Sequence, residues 1–181
     1  MADQSELIER CRRGESAAQF ELYRLYSQAM YAVCYNILGS TVEAEDAMQE
    51  AFFKAFDKIA TFRGGVSFGA WLKRIAVNTS IDHLKQQRIS WLSLDDQGLS
   101  LQQMPNDEPS EFVADSVAEV KEAMQRLPQG FRLVLTLHLV EGFEYAEIAE
   151  MIGTTQSNVR SQCFRAKQRL VELLAAQRMR G

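Results

Sequence analysis

Histidine and cysteine are few in this 181-residue chain, and none of them forms a recognisable catalytic or metal-binding pattern. His83 and His138 are its two histidines, and neither has a partner at a metal-ligand spacing. Cys11, Cys34 and Cys163 include no CxxC pair, which favours buried, inert thiols over a disulfide framework or a zinc site. The sequence also has no phosphate-binding loop and no nucleophile elbow. These observations argue against an enzyme and predict no cofactor.

The strongest functional pattern is one of binding, and it lies in residues 145–159. In a helix-turn-helix, a small residue on the first helix lets the second helix pack across it, a glycine makes the tight turn, and an apolar residue closes the core. Ala149, Gly153 and Val159 stand at the required spacing. A plain helical hairpin is the alternative, but here the turn, the core spacing and a basic front coincide.

The front of the second helix carries side chains that can reach base edges and phosphates from the major groove. These side chains are Gln156, Ser157, Arg160, Ser161 and Arg165. Residues 156–181 hold six bases and one acid, a net charge of +5, and residues 63–88 hold five bases and one acid, or +4. The net charge of the whole chain is −4, and residues 95–122 contribute −7 to it. Two basic segments therefore flank an acidic one, and a negative total does not exclude DNA binding.

Two helices of the N-terminal half present polar faces whose role the residues alone leave open. The helix predicted over residues 40–59 carries, opposite its apolar stripe, the side chains Asp46, Gln49, Glu50, Phe53 and Asp57. An aromatic ring among charges is typical of a protein-binding hot spot, although a solvated face with one stray aromatic residue is the more ordinary interpretation.

The helix predicted over residues 67–88 carries a second polar face close to the loop that precedes it. The residues concerned are Phe62 and Arg63 in the loop and Arg74, Asn78, Asp82 and Lys85 on the helix. Asparagine can pair with an adenine edge, and aromatic rings can stack on unpaired bases. Taken alone, this set also fits an ordinary solvated face.

Helical periodicity predicts the elements that position these faces: an all-α chain of two small helical domains joined by a flexible acidic linker. In the first domain, residues 1–90, an apolar stripe formed by Ala18, Leu22, Leu25, Ala29, Val33 and Ile37 ends at Gly39.

Ser40 and Glu43 form a capping box that starts the next helix. That helix has an inner face formed by Ala47, Met48, Ala51, Phe52, Ala55, Phe56 and Ile59. After a break at Gly64 and Gly65, the third helix has Phe68, Trp71, Leu72, Ile75 and Thr79 inward.

The linker, residues 91–111, has no sustained period and contains Gly98, Pro105 and Pro109. The second domain, residues 112–181, contains the helix-turn-helix. Its first helix is predicted from a capping box at Ser116 and Glu119, with one face formed by Val113, Val117, Val120, Met124 and Leu127. Residues 131–139 are almost continuously apolar and predict a buried helix.

The chain has no apolar run near the about 18 residues that span a bilayer. Residues 1–14 are polar and lack the apolar core of a signal peptide. A cytoplasmic protein is therefore expected.

Three segments, taken together, resemble the extracytoplasmic-function sigma factors of the sigma-70 family, in particular the sigma-E-like group. Residues 44–56, AEDAMQEAFFKAF, resemble the polymerase-binding helix of that family. Residues 62–82, FRGGVSFGAWLKRIAVNTSID, resemble its −10 element reader, and residues 127–137, LPQGFRLVLTL, with the helix-turn-helix that follows, resemble its −35 domain. The three motifs occur in the family's order and cover nearly the whole chain, which favours functional roles for both polar faces.

The resemblance implies a role for each segment. The contact with the clamp coiled coil of the polymerase largest subunit would be made by Asp46, Gln49, Glu50 and Phe53. Residues 62–68 would form the loop that captures a base flipped from the −10 element, and the −10 contacts would be Phe62, Arg63, Phe68, Arg74, Asn78, Asp82 and Lys85. The −35 contacts would be Thr155, Gln156, Ser157, Asn158, Arg160, Ser161 and Arg165.

The implied partners are core RNA polymerase, through its clamp and its flap region, promoter DNA and an anti-sigma factor. The linker would run toward the active centre and the RNA exit path. The implied function is promoter recognition, DNA opening and transcription initiation for a stress or envelope-signal regulon.

One departure from the family lies at the start of the recognition helix. Family members often have Thr-Val-Lys/Arg-Ser-Arg there, whereas this chain has Asn158 first and Gln162 last. The missing cation at Gln162 is expected to weaken phosphate attraction or to shift base preference.

Two other functions compete with this interpretation. A stand-alone DNA-binding regulator would need a ligand-binding or phosphoacceptor domain in its N-terminal half, and the sequence indicates neither. A protein that mimics a sigma factor by binding its partners would keep the clamp-binding face without needing a basic recognition helix. The +5 charge of residues 156–181 disfavours that alternative.

Overall fold

The computed structural model describes residues 4–86 and 117–179, and the regular secondary structure within these ranges is entirely helical. The chain divides into two compact units, residues 1–88 and 89–181. The all-α, two-domain prediction is therefore confirmed. The predicted linker, residues 91–111, lies outside the described residues, as do Val113 and Ser116.

The first unit is built from four helices: α1 (Gln4–Arg12), α2 (Ser16–Leu38), α3 (Thr41–Asp57) and α4 (Phe68–Gln86). A 3₁₀ turn, Ile59–Thr61, follows α3. Helices α2, α3 and α4 each pack against the other two, and α1 lies against α2 and the 3₁₀ turn. The core between them is apolar, and its largest fully buried side chains are Leu22, Ile37, Phe68, Leu72, Val77, Ile81 and Leu84.

The boundary between α2 and α3 follows the predicted chemistry. Gly39 adopts a φ of +73°, and its N–H donates to the carbonyl of Tyr35 at 2.8 Å. A positive φ costs a glycine little, so the chain can reverse there. The Ser40 hydroxyl oxygen then accepts a hydrogen bond from the N–H of Glu43 at 3.4 Å and caps α3.

The buried face of α2 differs in part from the predicted stripe. Ala18, Leu22, Val33 and Ile37 are buried as expected, but Leu25 and Ala29 are exposed. Met30 and Cys34 are buried in their place. The buried face is rotated because α2 packs against both α3 and α4, which a single stripe cannot represent.

The second unit contains α5 (Val117–Gln125), α6 (Gln129–Leu135), α7 (Tyr145–Ile152) and α8 (Gln156–Arg178). Helix α8 contacts each of the other three and forms the spine of this unit. Its inner side is closed by Val159, Cys163, Ala166, Leu170 and Leu174, all of them buried.

The single buried helix predicted over residues 131–139 is interrupted. Helix α6 ends at Leu135, and a π-helical turn, Thr136–Val140, follows; the N–H of Glu141 donates to the carbonyl of Thr136 at 2.9 Å. The wider turn rotates Leu139 and Val140 out to the surface. The predicted inner face of α5 is likewise only partly correct, because Met124 and Leu127 are buried whereas Val117 is exposed.

Within the described ranges, no helix combines the length and the apolar character needed to cross a membrane.

Candidate nucleic-acid and protein interfaces

The turn between α7 and α8 has the geometry of a helix-turn-helix. Gly153 has a φ of +77°, and its N–H and that of Thr154 both donate to the carbonyl of Ala149 at 2.9 Å. Thr155 caps α8, because its hydroxyl oxygen accepts the N–H of Asn158 at 3.2 Å. Ala149 and Val159 are buried where the two helices cross. The predicted motif is confirmed.

The outer side of the first turns of α8 forms the predicted −35 surface. Thr155, Gln156, Ser157 and Arg160 are exposed. Further along the same side, Ser161 and Arg165 are half-buried. This arrangement places an arginine and several hydrogen-bonding groups on one surface, as base and phosphate contacts require.

Asn158 has a second connection inside the turn. Its side-chain Nδ2 donates to the hydroxyl oxygen of Thr154 at 3.0 Å, and the residue is half-buried. Asn158 therefore helps to hold the turn before the predicted −35 surface, a role that the sequence did not indicate.

The burial of Gln162 argues against the expected effect of the missing cation. This residue is only 2% exposed and lies on the inner side of α8, next to the buried Cys163. A side chain in that place does not reach a DNA phosphate, because the recognition surface is on the opposite side of the helix. The glutamine is therefore a packing residue in this chain and not a lost phosphate contact.

The cysteines are buried, as predicted for inert thiols. Burial raises the pKa of the Cys163 thiol to about 11, which keeps it protonated near neutral pH. Its Sγ lies 3.8 Å from the carbonyl oxygen of Val134.

No group of His, Cys, Asp and Glu within the described residues is arranged to hold a metal ion. His138 is half-buried, its Nδ1 lies 3.0 Å from the carbonyl oxygen of Phe143, and its ring centroid lies 4.3 Å from that of Tyr145. These contacts make it a packing histidine.

The outer face of α3 presents an exposed aromatic ring. Asp46 and Gln49 are exposed, and Phe53 is 74% exposed, whereas the neighbouring Ala51 and Phe52 are buried. A large apolar side chain exposed to this degree among polar groups is the kind of anchor that protein interfaces use.

A groove of about 260 Å³ extends this face toward α2. Its lining includes Phe53 and Gln49 from α3, and Phe20 and Tyr23 from α2. Phe20 is exposed, and sequence reasoning missed it. The sequence feature that could have identified Phe20 is its position outside the apolar stripe of α2.

Glu50 is half-buried, and both of its carboxylate oxygens are engaged. Lys54 Nζ lies 2.8 Å from Oε1, and His83 Nε2 on α4 lies 2.7 Å from Oε2. Lys54 also donates to the hydroxyl of Thr79 at 3.3 Å and lies 3.9 Å from Asp82. The hydrogen bond from Lys54, and then that from His83, lowers the pKa of Glu50.

This Glu50 cluster (Glu50, Lys54, Thr79, Asp82 and His83) joins the predicted polymerase-binding helix to the predicted −10 helix. Sequence reasoning treated Glu50 and Asp82 as members of two separate faces. Since Glu50 and His83 are 33 positions apart, no local pattern could pair them.

The predicted −10 face of α4 is formed by exposed side chains. Arg74, Asn78, Asp82 and Lys85 recur at spacings of three and four and are all exposed, so they lie along one side of the helix. The loop before α4 is exposed from residue 63 to residue 67, and Gly64 adopts a φ of +77°.

Phe62 and Phe68 do not offer their rings to a base. Both are buried, their ring centroids are 5.5 Å apart in an edge-on arrangement, and both rings contact Trp71. The expectation that these rings stack on an unpaired base is corrected, because the apolar rings are covered by the core. They anchor the two ends of the loop and leave residues 63–67 as its accessible part.

Comparison with known proteins gives a consistent result for both units. The profile of Sigma-70 region 2 matches residues 22–89, and that of Sigma-70, region 4 matches residues 118–170, together more than half of the chain. The RNA polymerase sigma-H factor of Pseudomonas aeruginosa is 31% identical over 178 residues, covering 93% of this chain and 92% of the relative. The ECF RNA polymerase sigma-E factor of Escherichia coli (strain K12) is 31% identical over 171 residues, covering 90% and 89%.

Two solved structures share the fold at lower identity. One is the sigma factor RpoE in complex with the anti-sigma factor NepR from Bartonella quintana, with a TM-score of 0.56 and 24% identity over 86% of this chain and 95% of the other. The other is CnrH in complex with the cytosolic domain of CnrY, with a TM-score of 0.54 and 23% identity over 94% and 96%.

Proposed function

This chain belongs to the sigma-70 family of RNA polymerase sigma factors, in its extracytoplasmic-function group, and we propose how its two units divide the work of promoter recognition. It is a transcription initiation factor and not an enzyme: it binds core RNA polymerase and directs it to promoter DNA. We assign residues 1–90 to polymerase clamp binding and −10 recognition, residues 91–111 to the linker, and residues 112–181 to −35 recognition.

The proposed polymerase contact is the outer face of α3. Its central feature is Phe53, which is exposed between polar side chains and borders an apolar groove. Asp46 and Gln49 flank it, and Glu50 adds a carboxylate that is already oriented by Lys54 and His83. An apolar anchor with a polar rim is the usual composition of a protein-binding hot spot.

The proposed −10 site is the exposed loop before α4, together with the outer face of α4. A base flipped out of the duplex would be held by the backbone and polar groups of residues 63–67, with Asn78 and Asp82 beside it. Asn78 offers both a donor and an acceptor to a base edge. Arg63, Arg74 and Lys85 provide positive charge for the adjacent phosphates.

The proposed −35 site is the front of α8. The observation that best supports it is the joint geometry of the turn: Gly153 at positive φ, Thr155 as cap, and Arg160 exposed at the surface that a major groove would meet.

We also propose an anti-sigma partner, a cytoplasmic location and a stress or envelope-signal regulon. One structural neighbour, the sigma factor RpoE from Bartonella quintana, was solved in complex with the anti-sigma factor NepR. The exposed apolar groove beside Phe53 offers such a partner a surface that core polymerase would also need.

The proposal is tested first by mixing the purified chain with core polymerase and asking for co-purification and for promoter-dependent transcription. A promoter fragment selected by this holoenzyme from random-sequence DNA then serves as template. Asn78→Ala should slow open-complex formation about tenfold, as expected for the loss of one bidentate base contact. Binding to duplex carrying only the −35 element should stay unchanged, and an equal loss on both templates would count against the assignment.

A further inference from the structure

Helix α1 lies outside the residues matched by the family profile, which begin at Leu22, yet it contacts the base of the −10 loop. Leu7, Ile8 and Cys11 are buried and fix this helix to the bundle. Its last residue, Arg12, is turned toward the 3₁₀ turn that leads into the loop.

The guanidinium of Arg12 spans two backbone carbonyls. Its Nε donates to the carbonyl oxygen of Ile59 at 3.4 Å, and its Nη2 donates to that of Phe62. Its Nη1 donates to the carboxylate of Glu9, one turn earlier in α1. The Arg12 side chain is only 30% exposed, so these contacts are partly shielded from water.

The two carbonyls belong to the point where the chain leaves the core. The 3₁₀ turn ends at Thr61, and Phe62 is the last buried residue before the exposed segment 63–67. The Ile59 carbonyl also accepts the N–H of Phe62 at 3.2 Å, so Arg12 adds a second donor to it. Carbonyl oxygens at the end of a helical segment carry partial negative charge. A planar guanidinium with its donors in a fixed fork can bind two of them at once, which fixes the direction of the departing chain.

The same helix also reaches toward the other end of the loop. Gln4 Nε2 donates to the hydroxyl of Tyr26, whose ring centroid lies 5.5 Å from that of Phe68. The fit there is tight, because a Cβ added to Gly69 would lie 2.9 Å from the Tyr26 ring. Contacts that begin on α1 therefore lead to both anchors of the loop.

We propose that Arg12 is a positioning residue for the −10 loop: by holding the carbonyls of Ile59 and Phe62, it keeps residues 63–67 in the form that receives a flipped base. This inference rests on the proposed −10 assignment of the loop. Arg12 does not itself contact DNA; it affects promoter opening by fixing the backbone at the start of the loop.

The test uses holoenzymes assembled from core polymerase and full-length variants, on a promoter fragment selected from random-sequence DNA by the native holoenzyme. Opening is followed by permanganate reactivity of unpaired thymines. Arg12→Ala should slow opening about tenfold, in line with the loss of charge-assisted hydrogen bonds. Affinity for core polymerase and for duplex carrying only the −35 element should stay unchanged. Arg12→Lys should recover part of the rate, because a single ammonium can still reach one carbonyl.

Two controls separate positioning from simple stability. Arg13→Ala removes the same charge from the next residue, whose side chain is 65% exposed and pairs with Glu15, and it should open promoters at the native rate. Leu7→Ala removes buried apolar contacts from the same helix and should lower the unfolding temperature. At a temperature where both variants are folded, Leu7→Ala should open promoters faster than Arg12→Ala.

The outcomes distinguish this inference from the assignment on which it rests. If Asn78→Ala slows opening and Arg12→Ala does not, the loop assignment stands and the role of Arg12 is refuted. If Leu7→Ala slows opening as much as Arg12→Ala does, Arg12 only stabilises the fold, and the inference fails. If Arg12→Ala, Asn78→Ala and Arg63→Ala all open promoters at the native rate, the −10 assignment is wrong and the inference falls with it.

Discussion

The proposed −35 surface and the proposed −10 surface are held in place by contacts of very different range along the chain. In the turn before α8, Gly153 bonds to Ala149 and Thr155 caps the helix, so the partners lie within a few residues of each other. In the first unit, Glu50 on α3 binds His83 on α4, across 33 positions. Local hydrogen bonds thus build the −35 turn, whereas tertiary contacts orient the side chains near the −10 surface.

The contact between Arg12 and Phe62 spans 50 positions and extends the same difference to the loop itself. A DNA-binding surface that is held by local hydrogen bonds can be recognised from its sequence motif alone. A DNA-binding surface whose loop is held by distant helices can keep its motif and still lose DNA binding when those helices change. Variants that act on one kind of contact but not on the other test this distinction.

The largest effect is expected at the polymerase-binding face. Phe53→Ala should weaken binding to core polymerase by about 2 kcal/mol, roughly thirtyfold, because an exposed aromatic anchor is lost. Thermal unfolding should barely change, since the ring packs little in the free protein. The measurement is equilibrium binding of labelled protein to core polymerase.

Leu25→Ala is the matched control for this change, because it removes an exposed apolar side chain from α2. It should bind polymerase like the native protein. Native affinity in Phe53→Ala would remove α3 from the interface. Glu50→Lys is a less clean probe, because it would also break the Glu50 cluster.

For Gln162→Arg, the family motif and the burial of the position predict different effects. The motif suggests that an arginine here would strengthen DNA binding. Because the position is buried, we expect instead a loss of about 2 kcal/mol in the free energy of unfolding of the second unit, with no gain in affinity for −35 duplex. Chemical denaturation and a DNA titration measure the two quantities. Tighter DNA binding with native stability would show that the side chain reaches the surface.

A pair of glycines tests whether the −35 turn is locally determined. Gly153 and Gly142 both have a φ of +77°, and a Cβ added to either would meet no atom within 4 Å. Each substitution by alanine should therefore cost only backbone strain, about 1 kcal/mol. Calorimetry should show similar losses of stability for the two variants.

The two variants should differ in DNA binding. Gly153→Ala should also weaken binding to −35 duplex, because the strain lies in the turn that orients α8. Gly142→Ala should bind DNA like the native protein when both are folded. Equal DNA affinities in the two variants would indicate that the turn tolerates the change without moving α8.

The smallest effect concerns the long-range link between α3 and α4. The pKa of Glu50 is lowered by Lys54 and His83, so its stabilising contribution is present above about pH 4.5 and is lost as the pH falls through the lowered pKa. Since the Glu50 side chain is 44% exposed, we expect only about 0.5 kcal/mol. Glu50→Gln should be less stable than the native protein at pH 6, and the difference should shrink as the pH falls through the lowered pKa.

Glu45→Gln, a change at an exposed carboxylate on the same helix, is the control, and its free energy of unfolding at pH 6 should be close to that of the native protein. Chemical denaturation at several pH values measures both. A constant difference between Glu50→Gln and native protein from pH 6 to pH 3 would argue that the Glu50 cluster contributes no pH-dependent stability.

The sequence by itself determined the features that depend on neighbouring residues. The break at Gly39, the cap at Ser40, the inner face of α3 except the half-buried Phe56, and the turn around Gly153 were predicted from short patterns and are present in the structure. The physical reason is that capping bonds and glycine conformations involve residues three to five positions apart. The family motifs could be recognised for the same reason, because each consists of residues that are close together in the sequence.

Only the tertiary structure decided which side chains are covered and which distant groups meet. It placed Phe62 and Phe68 inside, although their motif suggested contact with nucleic acid, and it buried Gln162, where family members often have an arginine. It also brought His83 to Glu50 and Arg12 to the −10 loop. Burial depends on how a helix is rotated against two or more neighbours, and ion pairs between helices depend on how those helices are placed; neither is encoded in the spacing along one segment.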